Sequence, residues 1–398
     1  MNPALTQLHP YPFEQLRLLK AGITPSELPH INPSIGAPQH RPPTLVLEAL
    51  SAALDGLGKY PLTRGSDTLR QTIAQWLNRR FSLTQGIDSE SQVIPVSGTR
   101  EALFAFAQAI INRDTAKPPY VMMPNPFYQI YEGAALLAGA EPYYLNTTAA
   151  NGYLPDLDSI SNDAWQRCQL FYFCSPANPT GTIAPFAWQK RLLELAAEHQ
   201  FIVAADECYS EIYMDEANPP MGILTVAEAM GNTDYQRIVT FHSLSKRSSL
   251  PGLRSGFVAG DAAILKHFLL YRTYHGAALP PHTQAASTVA WQDEAHVIAN
   301  RSAYREKFAI VNAILAPFLN FDLPAAGFYL WPETDGDATQ FTRQLYAEKN
   351  VTLLPGSYLS RPANGSNPGD RRVRLALVAN IGECREAAER IAHFIQHY

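Results

Sequence analysis

The strongest constraint on this chain is a repeated pairing of short, wholly apolar runs with amphipathic stretches. Tyr120–Met123 (Y-V-M-M) stops at Pro124-Asn125-Pro126, and Leu170–Phe173 (L-F-Y-F) stops at C-S-P-A-N-P-T-G. Phe201–Ala205 (F-I-V-A-A) stops at Asp206-Glu207, Ile238–Phe241 (I-V-T-F) stops at H-S-L-S-K, and Phe257–Ala259 follows. Runs this short, apolar on both faces, suit the buried strands of a mostly parallel sheet. Between them, Arg100–Ile111 sets Leu103, Phe106, Ala107, Ile110 and Ile111 on one face, and Pro185–His199 does the same with Trp188, Leu192, Leu195 and Ala196. Both are amphipathic at the helical period. The alternation predicts an α/β domain across the middle of the chain.

The two ends read differently. Residues 1–40 carry a short helix (Phe13–Lys20) and a Pro/Gly-rich stretch. Residues 300–398 carry a long helix (Ala303–Leu315), G-F-Y-L-W and V-R-L-A-L-V as strands, a solvated loop at Ser360–Asp370 and a closing helix at Glu383–His397. The expected organisation is a large domain over residues 46–285 and a smaller α+β domain built from residues 1–45 and 286–398. The length of 398 residues fits two or three domains of about 100–200 residues each.

Composition excludes several function classes. The net charge is −5 with no basic block, so no nucleic-acid partner is expected. The longest apolar run, Phe308–Leu319, is broken by Asn312 and Pro317 and falls short of the about 20 residues of a membrane span. The start, M-N-P-A-L-T-Q-L-H-P, lacks a basic region followed by an apolar core, so a cytoplasmic protein is expected. Cys168, Cys174, Cys208 and Cys384 form neither a metal pair nor a disulfide framework; reduced thiols and no metal are expected.

In open parallel sheets, ligands bind at the carboxyl ends of the strands. Here those ends carry Asn178 after one strand, Asp206 and Tyr209 after the next, and Ser243, Ser245 and Lys246 after the third. Singly, each has a plain explanation as a turn, a helix cap or a solvated charge. Together on one sheet edge they point to a single site. Ser97-Gly98-Thr99-Arg100 opens a helix, where free N–H groups and the helix dipole attract phosphate. Arg254, eight residues beyond Lys246, is placed to add a charged phosphate contact. Only eight of the 31 basic residues are lysines, so each needs a reason. A phosphate anchor, a strand-end acid and a lysine near cations suit pyridoxal 5′-phosphate. That cofactor needs an amine for a Schiff base, an acid for its pyridinium nitrogen, a phosphate cradle and an aromatic on its ring face. Nearby positive charge also lowers the lysine pKa, favouring the nucleophilic amine.

Four motifs in order carry a family resemblance: N-P-T-G at 178–181, D-E-C-Y at 206–209, S-L-S-K-R-S-S-L-P-G-L-R-S-G-F at 243–257 and V-R-L-A at 373–376. On these the chain resembles the fold-type-I, pyridoxal-phosphate-dependent aminotransferases of the aspartate aminotransferase superfamily, over nearly its whole length. The resemblance implies a seven-stranded sheet covered by helices. It implies that Lys246 carries the cofactor and shuttles the proton, that Asp206 pairs with the pyridinium nitrogen, and that Tyr209 and Asn178 bond the ring's hydroxyl oxygen. Gly98, Thr99, Ser243 and Arg254, assisted by Arg100, would hold the phosphate, and Tyr128 would stack on the ring. Arg374 would fork the substrate α-carboxylate, with the Gly36 backbone beside it. An unpaired arginine between Val373 and Leu375 would otherwise be costly. Tyr60, in K-Y-P-L-T-R-G, would reach the phosphate of a partner subunit, which implies a homodimer. His242 reads as a packing residue.

The residues M-N-P-A-L-T-Q-L-H-P-Y-P-F-E-Q-L-R-L-L and I-N-P-S-I-G-A-P-Q-H, together with K-R-S-S-L-P-G-L-R-S-G-F-V-A-G-D, look like those of proteobacterial N-succinyldiaminopimelate aminotransferases of lysine biosynthesis. Those proteins often have Glu where Ala37 stands and Asn where Ser249 stands. The implied reaction is a ping-pong transfer from glutamate to N-succinyl-2-amino-6-oxopimelate. The residues themselves reach only an amino or keto acid with an α-carboxylate. Another aminotransferase of the subgroup, a carbon–sulfur β-lyase on the same cofactor and a non-catalytic sensor of the same fold are the competing readings. With about 30 residues before S-I-G, the DNA-binding domain such sensors usually add is not expected.

Overall fold

Strands that are apolar on both faces must lie side by side under helices, and the computed structural model, which describes residues 1–397, arranges them so. The large sheet contains β1 (Val93–Val96), β2 (Tyr120–Asn125), β3 (Glu141–Asn146), β4 (Cys168–Cys174), β5 (Ile202–Asp206), β6 (Ile238–Ser243) and β7 (Gly256–Gly260), in the order β1-β7-β6-β5-β4-β2-β3. β7 runs antiparallel to both β1 and β6, and the other neighbours are parallel. Along β4, Phe171 and Phe173 join one apolar cluster with Trp76 and Trp291, while Leu170 and Tyr172 join another with Phe106 and Phe268. That two-residue alternation shows helices covering both faces of the sheet.

A second, three-stranded antiparallel sheet holds β8 (Tyr329–Leu330), β9 (Leu354–Pro355) and β10 (Val373–Ala376), in the order β8-β10-β9. Residues near the N-terminus join it through a parallel bridge between Ile31 and Val351. Ile31, Val311, Leu345, Val373 and Ile391 share its core. The smaller domain is therefore built from both chain ends.

Several elements differ from the sequence reading for identifiable reasons. The long helix starts at Ala295, not Ala303, because its first turns bury Asn300 and Arg301, polar residues that hide the apolar period. G-F-Y-L-W is a strand only at Tyr329–Leu330. Residues 360–370 are not simply solvated. Arg361 forms a paired ion bridge with Glu132, and Asn125 and Asn146 donate to the Arg361 and Ala363 carbonyls. β1 and β3 lack the signature of the central strands. β1 spans four residues and contains Pro95, and β3 begins on the exposed Glu141.

Parallel register brings the carboxyl ends of β4, β5 and β6 to one edge, with Cys174 beside Asp206 and Asp206 beside Phe241. Behind that edge, Trp76 packs against His242, Phe257 and Trp291, with ring centroids 5.3, 6.0 and 4.7 Å away. Trp76→Ala should therefore destabilise the chain by about 3–5 kcal/mol, read as a lowered denaturant midpoint; an unchanged midpoint would contradict this packing account.

Candidate active site

A cavity of about 410 Å³ opens at the strand ends. Its walls include Gly36, Thr99, Arg100, Tyr128, Asn178, Asp206, Tyr209, Ser243, Lys246, Arg254 and Arg374, eleven of the thirteen residues to which the resemblance gives a role, together with Ser245. Gly98 lies just behind this wall. Tyr60 is fully exposed and does not line the cavity.

Lys246 sits on the four-residue helix Leu244–Arg247 that follows β6. Its Nζ donates to the Gly36 carbonyl at 3.1 Å. The amine faces the cavity but is ringed by protein, and this burial lowers its pKa to about 8. Arg374 and Arg100 push it the same way; the Cys208 thiol and Asp206 oppose them. Asp206 ends β5, almost wholly buried. One of its oxygens accepts from the Tyr131 hydroxyl at 2.6 Å and the other from the Cys208 N–H at 3.3 Å. A carboxylate has about four acceptor sites, so capacity remains for a ligand N–H.

The helix Thr99–Ile110 has Gly98 as its N-cap, and no side chain caps it, so its first N–H groups stay free for an anion. A Cβ at Gly98 would overlap the Arg254 guanidinium, so glycine is what lets that cation approach the turn. Arg254 is steadied by the Pro251 carbonyl at 2.9 Å and the Ser245 hydroxyl at 3.5 Å. The Ser243 hydroxyl accepts from the Ser245 N–H, and the Thr99 hydroxyl meets the Cys208 thiol at 3.2 Å. The Tyr128 hydroxyl accepts from Arg100 Nε at 2.7 Å.

On the opposite wall, Arg374 extends from β10. Its Nη1 donates to Asn178 Oδ1 at 3.1 Å, its Nη2 to the Ser34 carbonyl at 2.9 Å, and its Nε has no partner. The guanidinium lies 4.4 Å over the Tyr329 ring, almost fully buried, and no carboxylate pairs with it among the described residues. Tyr329 also meets the Tyr209 hydroxyl at 3.1 Å, and a Cβ at Gly36 would overlap it. Ala37 lines the cavity, and Ser249 is buried behind it with its hydroxyl on the His40 carbonyl.

Sequence reasoning passed over Tyr131, Tyr329 and Cys208. Tyr131 follows Tyr128 by about one helical turn, Tyr329 stands inside G-F-Y-L-W and Cys208 inside D-E-C-Y, so the signals were positional. Burial raises the Cys174 and Cys208 thiols, so neither competes with Lys246 as a nucleophile. Among the described residues no three His, Cys, Asp or Glu side chains are placed to hold a metal, and no helix is long and apolar enough to cross a membrane.

A sequence model of the aminotransferase class I and II family matches residues 30–391. An LL-diaminopimelate aminotransferase of Nitratidesulfovibrio vulgaris is 30% identical over 397 residues, covering 98% of this chain and 97% of that protein. An aminotransferase structure from Neisseria meningitidis superposes with a TM-score of 0.95 at 46% identity, over 99% of this chain and all of that one. One from Helicobacter pylori gives 0.90 at 33% identity, over 98% of this chain and all of that one.

The lowered lysine yields a sign-definite expectation. Below pH 8 the amine is charged; above it the amine is free, while exposed lysines stay charged to about 10.4. Modification of Lys246 in the cofactor-free protein by an amine-directed reagent should rise about tenfold per unit up to pH 8 and then level off. A rate still climbing at pH 10, followed by peptide mass spectrometry, would contradict the burial effect.

Proposed function

Because the chain belongs to the class I and II aminotransferases, whose fold works with pyridoxal 5′-phosphate, we propose that it transfers an amino group to or from a substrate built on the diaminopimelate framework. The observation carrying the amino-acid part of this reading is Arg374, a buried guanidinium in an apolar strand with an unpartnered Nε, facing the same cavity as a lysine amine of lowered pKa, and the diaminopimelate framework rests on the relatives. A substrate carboxylate matches that unpaired charge.

The residues fit the cofactor. The uncapped helix start, Gly98, Thr99, Ser243 and Arg254 form an anion cradle, and Arg100 stands at its rim. When bound, pyridoxal phosphate supplies an aldehyde and a pyridinium ring that withdraws electrons from the substrate Cα. Asp206 would hold the ring nitrogen's proton. Tyr209 and Asn178 would bond the ring's hydroxyl oxygen, and Tyr128 would pack on its face. Lys246 Nζ would hold the cofactor between turnovers and, when its amine is free, would take the proton from the substrate Cα. Arg374, supported by Asn178 and the loop carrying Gly36, orients the carboxylate so that the Cα–H faces Lys246.

Two diaminopimelate substrates have distinct support. The curated relatives at 30% identity are LL-diaminopimelate aminotransferases, which favours LL-diaminopimelate itself. The opening residues resemble the N-succinyl enzymes, which favours the N-succinyl derivative with glutamate as donor. The relatives support the first better than the second. We also infer a homodimer that brings Tyr60 to the partner's phosphate. Leu54, Leu57, Tyr60 and Leu62 expose apolar surface within one short segment, as a face covered by a second copy would.

Mixing the holoenzyme with glutamate, LL-diaminopimelate or N-succinyl-LL-diaminopimelate separates the readings by the change in cofactor absorbance. A response to at least one diaminopimelate compound is expected, and silence toward both would overturn the substrate class. Arg374→Ala should raise KM for donor and acceptor by about a hundredfold; an unchanged KM would remove the carboxylate role. Sedimentation should show a dimer, and an active monomer would exclude Tyr60 acting across subunits.

A further inference from the structure

Two buried polar residues of the long helix, Asn300 and Lys307, form a connected chain through His40. Asn300 Nδ2 donates to the carbonyls of Lys246, at 3.3 Å, and Arg247, at 3.1 Å. Its Oδ1 is therefore an acceptor, and it lies 2.6 Å from His40 Nδ1. Two turns along the same helix, Lys307 Nζ lies 2.6 Å from His40 Nε2 and 3.4 Å from the Val378 carbonyl. An ammonium only donates, so Nε2 must be bare and Nδ1 must carry the proton. The network fixes one neutral tautomer of His40.

His40 closes the loop that begins at Gly36. The other end of that loop is held by Arg374 on the Ser34 carbonyl and by Lys246 Nζ on the Gly36 carbonyl. Lys246 gives up the second bond whenever its amine is engaged in chemistry. The attachment at His40, helped by the Ser249 hydroxyl on the His40 carbonyl, is independent of that amine.

We propose that Asn300 and His40 are positioning residues, tying the substrate-carboxylate loop to the backbone of the lysine turn, with Lys307 locking His40 in the tautomer that bonds Asn300. The inference rests on the aminotransferase reading of the cavity. Protonation of His40 would set two donors against each other at the Lys307 contact and loosen the loop. The titratable groups packed around this pair are Tyr304, whose ring lies 4.5 Å from that of His40, and Cys384, which acts on Lys307. No carboxylate pairs with Lys307 among the described residues, and burial lowers both Lys307 and His40. The neutral, loop-holding state therefore persists to below the ordinary histidine value of about 6.5.

The test uses the holoenzyme and the amino donor it accepts. His40→Ala and Asn300→Ala should raise KM by about tenfold with kcat changed far less, since a carboxylate held alike in ground and transition states is lost. His40→Asn keeps a donor near the Nδ1 position but cannot titrate. It should restore KM to within about twofold and erase the part of the acid limb of kcat/KM due to His40. Lys307→Met removes the cation that depresses His40, so that limb should move to higher pH. Unchanged KM in both alanine variants, or an acid limb identical in wild type, His40→Asn and Lys307→Met, would overturn the inference. If an alanine variant fails to fold, the His40→Asn and Lys307→Met profiles decide alone. A wild-type protein with no half-reaction at all would instead refute the parent reading.

Discussion

A lysine amine largely screened from water, with no carboxylate paired to it among the described residues, is the arrangement on which the rest of the site depends. Lys246 loses part of its hydration at the end of β6 and receives a backbone carbonyl and the faces of the Tyr209 and Phe328 rings in exchange. The cost of keeping a charged amine there is what lowers its pKa to about 8 and leaves it reactive near neutrality. Asp206 is near enough to oppose this but spends its oxygens on Tyr131 and the Cys208 N–H. The cations of the cavity, Arg374 and Arg100, act in the same direction as burial. One environment thus prepares the nucleophile and leaves anion-binding groups open around it.

Holding that geometry requires a turn the backbone would not choose freely. Ser249 and Arg254, both L-residues, adopt the left-handed region at φ 52° within the segment after Lys246. Each costs roughly 1–2 kcal/mol relative to a relaxed conformation. The surrounding packing sustains it. Arg247 is buried against Trp76 and Trp291 and bonded to Glu294, and Ser248 bonds His296. The reward is that Arg254 turns back toward Gly98, closing the anion cradle beside the amine.

How much of this was legible in sequence follows from the kind of signal each part leaves. β4, β5 and β6 are apolar on both faces and end in punctuation, so both the strands and the residues at their ends could be read directly. Arg374 stood out because a charge in an apolar strand demands a partner. β1 and β3 are short or edge-exposed and carry no comparable pattern. The start of the long helix was hidden because Asn300 and Arg301 are buried through hydrogen bonds rather than through apolarity. Tyr131 supports Asp206 through a contact between elements 75 residues apart, which no local pattern encodes. The docking of residues 360–370 depends likewise on the distant Glu132.

The central claim is that Lys246 is the amine that holds the cofactor. The direct measurement is borohydride reduction of the pyridoxal-phosphate-loaded protein, followed by proteolysis and mass spectrometry. A single cofactor-labelled peptide containing Lys246 is predicted. Label on any other lysine, or none on the Lys246 peptide, would contradict the account.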